Sequence, residues 1–408
     1  MTDTTAVARP VPRWMLAVAI LAAAVALVLL VLGQLVTTLK AGMADPAWPT
    51  EPWYLINNYK DEVNYLVEHT HRIVGFALGG ILGALTLCVW WLEPRKTAKW
   101  VGVAAVVALI AAFGEFHRAV MNQTDPDRLD VPAAPVSMMG AALAVLTAVG
   151  VSGLAAGVRG SGLRLFTTVV LLAVMTQGVL GGLRVRLNAL HGPELAAVHG
   201  VFAQVVFCLI ALLTLFCTRP PRDEVSRTAR GAAGWLSPAL VVVLFGQLVL
   251  GVLVRHLPTP LAQRLHFLTA FLAVAVIVAL LRAGFATTPL RARVAPAGWL
   301  LGVLVALQLV LGVEAWMGKF SDEARAGQPV DSYLPETAIP SPYQVVVRTS
   351  HVLVGTGVLA SAVLLAAGLR RRAGETIVSD EVRESRVAVE LPRAEFAAAG
   401  ASDSGDSR

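Results

Sequence analysis

The stretch WMLAVAILAAAVALVLLVLGQLV, from Trp14 to Val36, contains no charged residue. A helix needs about 20 apolar residues to cross the hydrocarbon core of a bilayer, so this stretch is long enough to span it. Arg9 and Arg13 precede it, but it is longer than the apolar core of a signal peptide, and no convincing cleavage site closes it. We therefore expect an uncleaved first transmembrane helix.

Further apolar segments of spanning length recur along the 408-residue chain. The predicted helices cover residues 14–38, 64–92, 100–117, 134–157, 164–183, 194–217, 235–255, 261–282, 297–317 and 345–369. The chain is 56% hydrophobic and only 15% charged, and its mean hydropathy is +0.68. A soluble domain could not cover such a surface with polar groups. The sequence therefore predicts an all-α polytopic membrane protein with about ten transmembrane helices.

The positions of the basic residues predict the orientation of these helices. With the N-terminus inside, most Lys and Arg residues fall on inner segments, and the strongest clusters lie at 219–230 and 370–372. Residues 1–13 and 371–408 are then cytoplasmic, and the charged, Ser- and Ala-rich tail is expected to be disordered. This topology accounts for the net charge of +6, so no nucleic-acid partner is expected.

Four predicted helices contain a related sequence near their outer ends. The four segments are Gln34-Leu-Val-Thr-Thr, Gln177-Gly-Val-Leu-Gly, Gln247-Leu-Val-Leu-Gly and Gln308-Leu-Val-Leu-Gly. After each, the chain returns on a helix with a histidine near its outer start, at His71, His199, His266 and His351. We interpret the pattern as a duplication and not as chance repetition of apolar residues.

The spacing of the histidines predicts two pseudo-symmetric four-helix bundles. The interval between the first two histidines exceeds that between the last two by about one helical hairpin, which indicates an inserted hairpin at about 100–157. The N-terminal membrane half then covers 14–217, a cytoplasmic linker 218–234, and the C-terminal half 235–370. The three cysteines lie in or at the ends of apolar segments, so no disulfide framework is expected.

Histidines inside a membrane are costly and mostly functional. One alone could be a satisfied hydrogen-bonding residue, but four at matched depth predict axial ligands, because two histidines from facing helices can clamp one haem iron. Each has a small residue one turn deeper, at Gly75, Ala203, Ala270 and Gly355. These residues leave room for a flat macrocycle or serve helix packing.

Charged residues near the histidines distinguish the two halves. Arg184 and Arg255 end helices of the repeat and are candidates to bind haem propionates, although arginines at an interface can also simply snorkel to water. Glu68 lies three residues before His71, on the same helix face. It can move protons or stabilise positive charge on a substrate, or it is a solvated interfacial glutamate. This asymmetry predicts one reactive site and one electron-transfer or structural haem site.

Several segments resemble the haem A synthase family. They are Ala41-Gly-Met-Ala-Asp-Pro-Ala-Trp-Pro-Thr50, Glu68-x-x-His71-Arg72, Gln177-Gly-Val-Leu-Gly-Gly-Leu-Arg-Val185 and Arg348-Thr-Ser-His351. The resemblance covers most of residues 14–370. It implies two four-helix halves in a bacterial inner membrane, and oxidation of the C8 methyl of haem O to a formyl group, which gives haem A for terminal oxidases. A haem O synthase, a farnesyltransferase, is the partner it implies.

The resemblance also implies roles for the candidate residues. His71 and His199 would flank the iron of the substrate haem, with Glu68 as the essential carboxylate, and His266 and His351 would hold the iron of a haem b cofactor. The chain departs from the family where Ala47 replaces the usual aspartate before Trp48, and it lacks the loop cysteine pair of some members.

Two other functions remain open. A dihaem cytochrome b that passes electrons from quinol would need the same four histidines but not Glu68. A transporter would place ionisable residues near the membrane midplane, whereas these histidines lie near one face. The sequence does not identify the electron donor.

Overall fold

The computed structural model describes residues 12–44, 62–121, 123, 130–218, 226–257, 259–325, 327 and 340–371. Within these ranges the chain forms ten helices long and apolar enough to cross a membrane, and no strand. The prediction of an all-α polytopic membrane protein is confirmed. The helices are α1 (Arg13–Thr38), α2 (Val63–Trp91), α3 (Lys96–Met121), α4 (Ala133–Ala155), α5 (Ser161–Arg186), α6 (Asn188–Cys217), α7 (Arg227–His256), α8 (Pro260–Phe285), α9 (Thr288–Arg325) and α10 (Pro342–Arg370).

Some predicted features lie outside the described residues. They include Asp45 to Thr50 of the family-like segment, residues 219–225 of the linker, and the tail after Arg371. The structure gives no account of the predictions made for them.

Most helices are longer than the apolar segments that predicted them. The largest difference is at α9, which begins at Thr288 instead of residue 297. Helix α7 begins at Arg227, inside the stretch predicted as a linker, and is kinked at Gly231, whose φ of 46° suits a residue without a Cβ. The apolar segments of the sequence stop where polar residues begin, whereas the backbone hydrogen bonds of a helix can continue past the hydrocarbon core.

Eight of the described helices form two four-helix units with the same packing order. In the N-half (α1, α2, α5 and α6), α1 packs on α2 and α6, and α5 packs on the same two helices. In the C-half (α7 to α10), α7 and α9 each pack on α8 and α10. Small residues such as Ala19 and Ala22 are fully buried in α1 and allow close helix approach.

The two halves meet along α6 and α10, with α1 against α10 and α7 against α6. At this junction the hydroxyl of Thr356 donates a hydrogen bond of 2.5 Å to Oε1 of Gln204. Each of these residues lies five positions after a repeat histidine, His351 or His199. Equivalent positions of the two halves therefore face each other, as expected near a pseudo-two-fold axis.

Helices α3 and α4 form a hairpin that packs on α2 and α5. This is the insertion that the repeat spacing predicted. Gly102 of α3 lies directly against the Trp90 ring, and Gly150 of α4 lies against Leu165. Any Cβ at either glycine would overlap these side chains, so the two glycines let the hairpin approach the N-half closely.

A buried ion cluster joins the hairpin to the N-half at the end opposite the histidines. Glu93, in the α2–α3 connection, is only 1% exposed. Its carboxylate accepts a 2.7 Å hydrogen bond from Nε of Arg95 and forms a 2.8 Å ion pair with Arg164 of α5. Arg95 also donates to the carbonyl of Val149 in α4, at 3.1 Å. The cluster thus connects α2, α4 and α5.

The charge state of Glu93 predicts how the stability of the protein depends on pH. Burial raises the pKa of Glu93, but the hydrogen bond from Arg95 and the charge of Arg164 lower it more, so this pKa lies below its usual value of 4.5. A carboxylate whose pKa is depressed by folding stabilises the fold above the unfolded pKa, and this stabilisation is lost as the pH falls through the folded pKa. We expect the melting temperature in detergent to fall more steeply below about pH 4.5 in the wild type than in Glu93→Gln.

Melting temperatures of the same two proteins at about pH 6 serve as the reference. At this pH, Glu93→Gln should melt several degrees below the wild type, because Arg164 loses its buried partner. Melting curves with the same pH dependence in both proteins would contradict this role of Glu93.

Candidate functional site

Glutamine side chains of the repeat contact the histidine of the following helix. Nε2 of Gln177 donates to the backbone carbonyl of His199 at 3.1 Å, and Nε2 of Gln247 donates to that of His266 at 2.9 Å. Nε2 of Gln308 lies 3.3 Å from Nε2 of His351. The sequence pattern marked these glutamines as a repeat, but their contact with the histidines becomes visible only in the structure.

Three glycines let the imidazole rings approach the facing helix. A Cβ added to Gly251 or Gly312 would lie 3.0 Å from Cε1 of His266 or His351, respectively. A Cβ on Gly33 would lie 3.1 Å from Nε2 of His71. Such contacts are tighter than ordinary van der Waals packing, so each glycine makes space for one ring.

The small residues one turn below the histidines accommodate neighbouring side chains. A Cβ on Gly355 would lie 3.0 Å from Nε2 of Gln308, and one on Gly75 would lie 3.9 Å from Leu29. Gly355 therefore makes space for the glutamine that contacts His351, whereas Gly75 adjoins α1.

The structure brings the four predicted histidines together as two pairs, one in each half. His71 and His199 are close enough to interact electrostatically, and Arg184 acts on both. His266 and His351 interact in the same way in the C-half. The two histidines of each pair thus lie within electrostatic range of each other, while the predicted role in binding iron stays a prediction.

The carboxylate of Glu68 is buried beside the N-half pair. Glu68 is 4% exposed, and its Oε1 accepts a 2.7 Å hydrogen bond from Arg72, which is 5% exposed. Arg184 also interacts electrostatically with Glu68, and its guanidinium lies against Gly42 in the Ala41-Gly-Met segment. Glu68 is therefore not a solvated interfacial residue, and the spacing of four residues to Arg72 was the sequence signal for its partner.

Arg255 links the two halves at the end where the histidines lie. From the C-terminal turn of α7 its guanidinium donates to Oε1 of Gln34 at 3.1 Å and to the hydroxyl of Thr38 at 2.6 Å, both in α1. Arg255 also interacts electrostatically with His351. In the first half, the repeat glutamine Gln34 thus accepts a hydrogen bond from the other half.

The four remaining histidines have other surroundings. His69 is 1% exposed and stacks on Tyr65, with ring centroids 5.3 Å apart. His191 is exposed and has non-helical backbone angles inside α6, and His256 ends α7. His117 of the inserted hairpin lies in an aromatic contact with α2.

The donor groups of the site suit haem better than a bare metal ion. Among the described residues there is no group of three or more His, Cys, Asp or Glu side chains that could hold a metal ion. A histidine pair alone suffices for haem iron, because the porphyrin supplies the other ligands.

Buried polar atoms without a hydrogen-bond partner, found at both histidine pairs, also fit haem. Nδ1 of His266 and of His351 is buried and has no hydrogen-bond partner among the described residues, and neither does Oε1 of Gln177 or Gln308. Ring nitrogens without a partner are available to a bound group, and imidazole is a usual axial ligand of haem iron. The residues present therefore fit a bis-histidine haem in the C-half.

Comparison of the chain with protein-family models, with curated proteins and with solved structures found no match. The assignment of a function therefore depends on the residues of the site and on the family-like motifs.

The charges around Glu68 predict unequal effects of two substitutions. Glu68→Ala removes a carboxylate that faces both Arg72 and Arg184, whereas Arg72→Ala leaves Glu68 facing Arg184. Breaking a buried ion pair by removing one partner costs about 3–5 kcal/mol. We expect Glu68→Ala to lower the melting temperature in detergent more than Arg72→Ala does. Equal effects, or the reverse order, would show that Arg184 does not share this carboxylate.

Proposed function

We propose that the protein is a haem A synthase, which oxidises the C8 methyl group of haem O to a formyl group. One observation carries the proposal: two histidine pairs occupy equivalent places in the two halves, and the N-half pair has a buried carboxylate, Glu68, beside it. The family-like motifs around Glu68, His71 and Arg184 support the same reaction.

In this proposal the N-half binds the substrate. His71 and His199 hold the iron of haem O between α2 and α6, and Arg184, which acts on both histidines, is placed to bind a propionate. The guanidinium of Arg72 fixes the Glu68 carboxylate within one helical turn of His71. A carboxylate held there can accept a proton released during methyl oxidation, or stabilise positive charge on the substrate.

The C-half holds the resident cofactor, haem b, on His266 and His351. When bound, haem b supplies one-electron transfer. The positions three residues before these histidines are Gln263 and Arg348, so the Glu68 carboxylate has no counterpart at these two positions. Arg255 is placed to bind a propionate near His351 while it donates to Gln34 in the N-half.

For the topology and the partners, the proposal keeps what the sequence predicts. The basic clusters favour a bacterial inner membrane with both termini in the cytoplasm and the histidine pairs in the outer half of the bilayer. A haem O synthase is the expected source of the substrate.

A dihaem cytochrome b is the second candidate. The presence of one histidine pair in each half and the link from Arg255 to Gln34 suit electron transfer between two haems. This function requires all four histidines but gives no task to the Glu68 carboxylate.

Co-expression with a haem O synthase, followed by chromatography of the extracted haems, separates the two candidates. We expect haem A or its hydroxylated precursor in membranes with the wild-type chain. Glu68→Gln should lower this product about 100-fold or more while bound haem is retained, because a positioned proton-transfer group contributes on that order.

Glu115→Gln is the matched control for this experiment, because Glu115 is an exposed carboxylate on the inserted hairpin. Haem O as the sole prenylated haem in wild-type membranes would refute the synthase. Unchanged product in Glu68→Gln would show that this carboxylate is not needed for the reaction.

Absorption spectra of the purified protein test the assignment of the two pairs. The double variant His266→Ala/His351→Ala should lose the low-spin haem b signal, whereas His71→Ala/His199→Ala should keep it. Full haem content in the first double variant would show that the C-half pair does not hold the cofactor.

A further inference from the structure

The inserted hairpin packs along the groove between α2 and α5 of the N-half, which is called the seam below. At the end opposite the histidines, α2 and α5 are joined directly: the hydroxyl of Thr86 donates to the carbonyl of Thr167 at 3.3 Å, and Nε1 of Trp90 donates to the hydroxyl of Thr168 at 3.0 Å. These hydrogen bonds fix the two helices side by side at this end.

Towards the histidines, α3 contacts both sides of the seam. The ring of Phe113 is 3.9 Å from the position of a Cβ on Gly178 in α5. The ring of His117 meets Phe76 of α2 edge-on, with centroids 6.4 Å apart, and lies 6.0 Å from the Phe113 ring. Residues of the hairpin thus bridge α2 and α5 here.

These aromatic contacts lie close to the depth of the histidine pair. Gly178 follows Gln177, whose amide bonds to His199. Phe76 lies five residues after His71, which is roughly 7.5 Å along the helix. Phe113 and His117 therefore contact α2 and α5 within about one and a half helical turns of the depth of the histidine pair.

The C-half closes the equivalent seam with its own side chains. Phe267 of α8 packs edge-on against Trp316 of α9, with centroids 5.7 Å apart, and Trp316 packs on Phe320 at 5.2 Å. Phe267 follows His266 directly, and Trp316 lies eight positions after Gln308.

The corresponding residues of the N-half are Arg72, after His71, and Val185, eight positions after Gln177. The N-half therefore lacks this aromatic pair, and the rings of its inserted hairpin contact other positions, Phe76 and Gly178.

The hairpin is anchored at both ends. Near the histidines, Arg186 of α5 donates to the carbonyls of Val120 and Gln123, at 3.1 and 2.9 Å, where α3 ends. At the opposite end, the Glu93 cluster ties the hairpin to α5. Phe113 and His117 are thus held in a fixed position against the seam.

We propose that α3 forms the bilayer-facing wall of the N-half site, and that Phe113 and His117 contact an apolar substituent of the ligand bound between His71 and His199. Aromatic rings at this depth suit a long hydrocarbon chain that extends from the porphyrin edge towards lipid. The inference rests on the proposed function, because the ligand that fits is haem O, whose farnesyl-derived chain is absent from haem B. The hairpin then determines which haem the N-half accepts.

Spectroscopic titration of the purified full-length protein with haem O and, separately, haem B tests this wall. We expect the wild type to bind haem O at least about tenfold more tightly than haem B at the N-half site, and Phe113→Ala to lose most of that preference. Val107→Ala is the matched control, because Val107 lies on the same helix and is 51% exposed. It should keep the preference.

Phe113→Leu and His117→Gln retain side-chain bulk and are included in case Phe113→Ala does not fold. Each should reduce the preference for haem O over haem B, by a smaller factor than Phe113→Ala does. If all three variants bind haem O and haem B with the wild-type ratio, the wall is refuted while the proposed function stands. If the wild type binds neither haem beyond its resident cofactor, the wall and the synthase proposal fail together.

Discussion

Hydrogen bonds from glutamine amides to histidines of the next helix are the interactions on which the arrangement depends. Lipid solvates every apolar face of these helices equally well, so hydrophobic burial does little to choose one helix register over another. The bonds from Gln177 to the carbonyl of His199 and from Gln247 to that of His266 are directional, and they fix each helix pair at the depth of the histidines. The glycines opposite the rings then set how closely the helices approach.

In the first repeat unit the glutamine bonds to a residue of the other half, and this bond couples the two halves. Oε1 of Gln34 accepts a hydrogen bond from Arg255 of the C-half. The N-half pair instead has charged neighbours, namely Glu68, Arg72 and Arg184. The two halves, built alike in their helix packing, thus differ in the charged side chains around their histidines.

The architecture could be predicted from the sequence because its signals are local. Each spanning segment is a continuous apolar run, and the repeated glutamine and histidine spacing revealed both halves and the insertion. Helix ends such as Thr288 of α9 were missed because polar residues can continue a helix outside the hydrocarbon core. The contact of Arg255 with Gln34, and that of His117 with Phe76, join segments far apart in the chain, so no local pattern could indicate them.

The candidate site was predictable to a similar extent. The depth of the histidines and the position of Glu68 followed from helical spacing. The ion pair of Glu68 with Arg72 was not predicted, although the spacing of four residues is typical of such pairs on a helix. The closure of the α2–α5 seam by the hairpin could not be predicted from the sequence, because it depends on how the hairpin packs.

The α3–α4 insertion also illustrates a rule of parity for membrane chains. Two added helices return the polypeptide to the side from which it left, so every later helix keeps its direction across the bilayer. A single added helix would have turned α5 and all its successors upside down, moving His199, His266 and His351 to the face opposite His71. Only growth by an even number of spans leaves His71 and His199 on the same side of the bilayer.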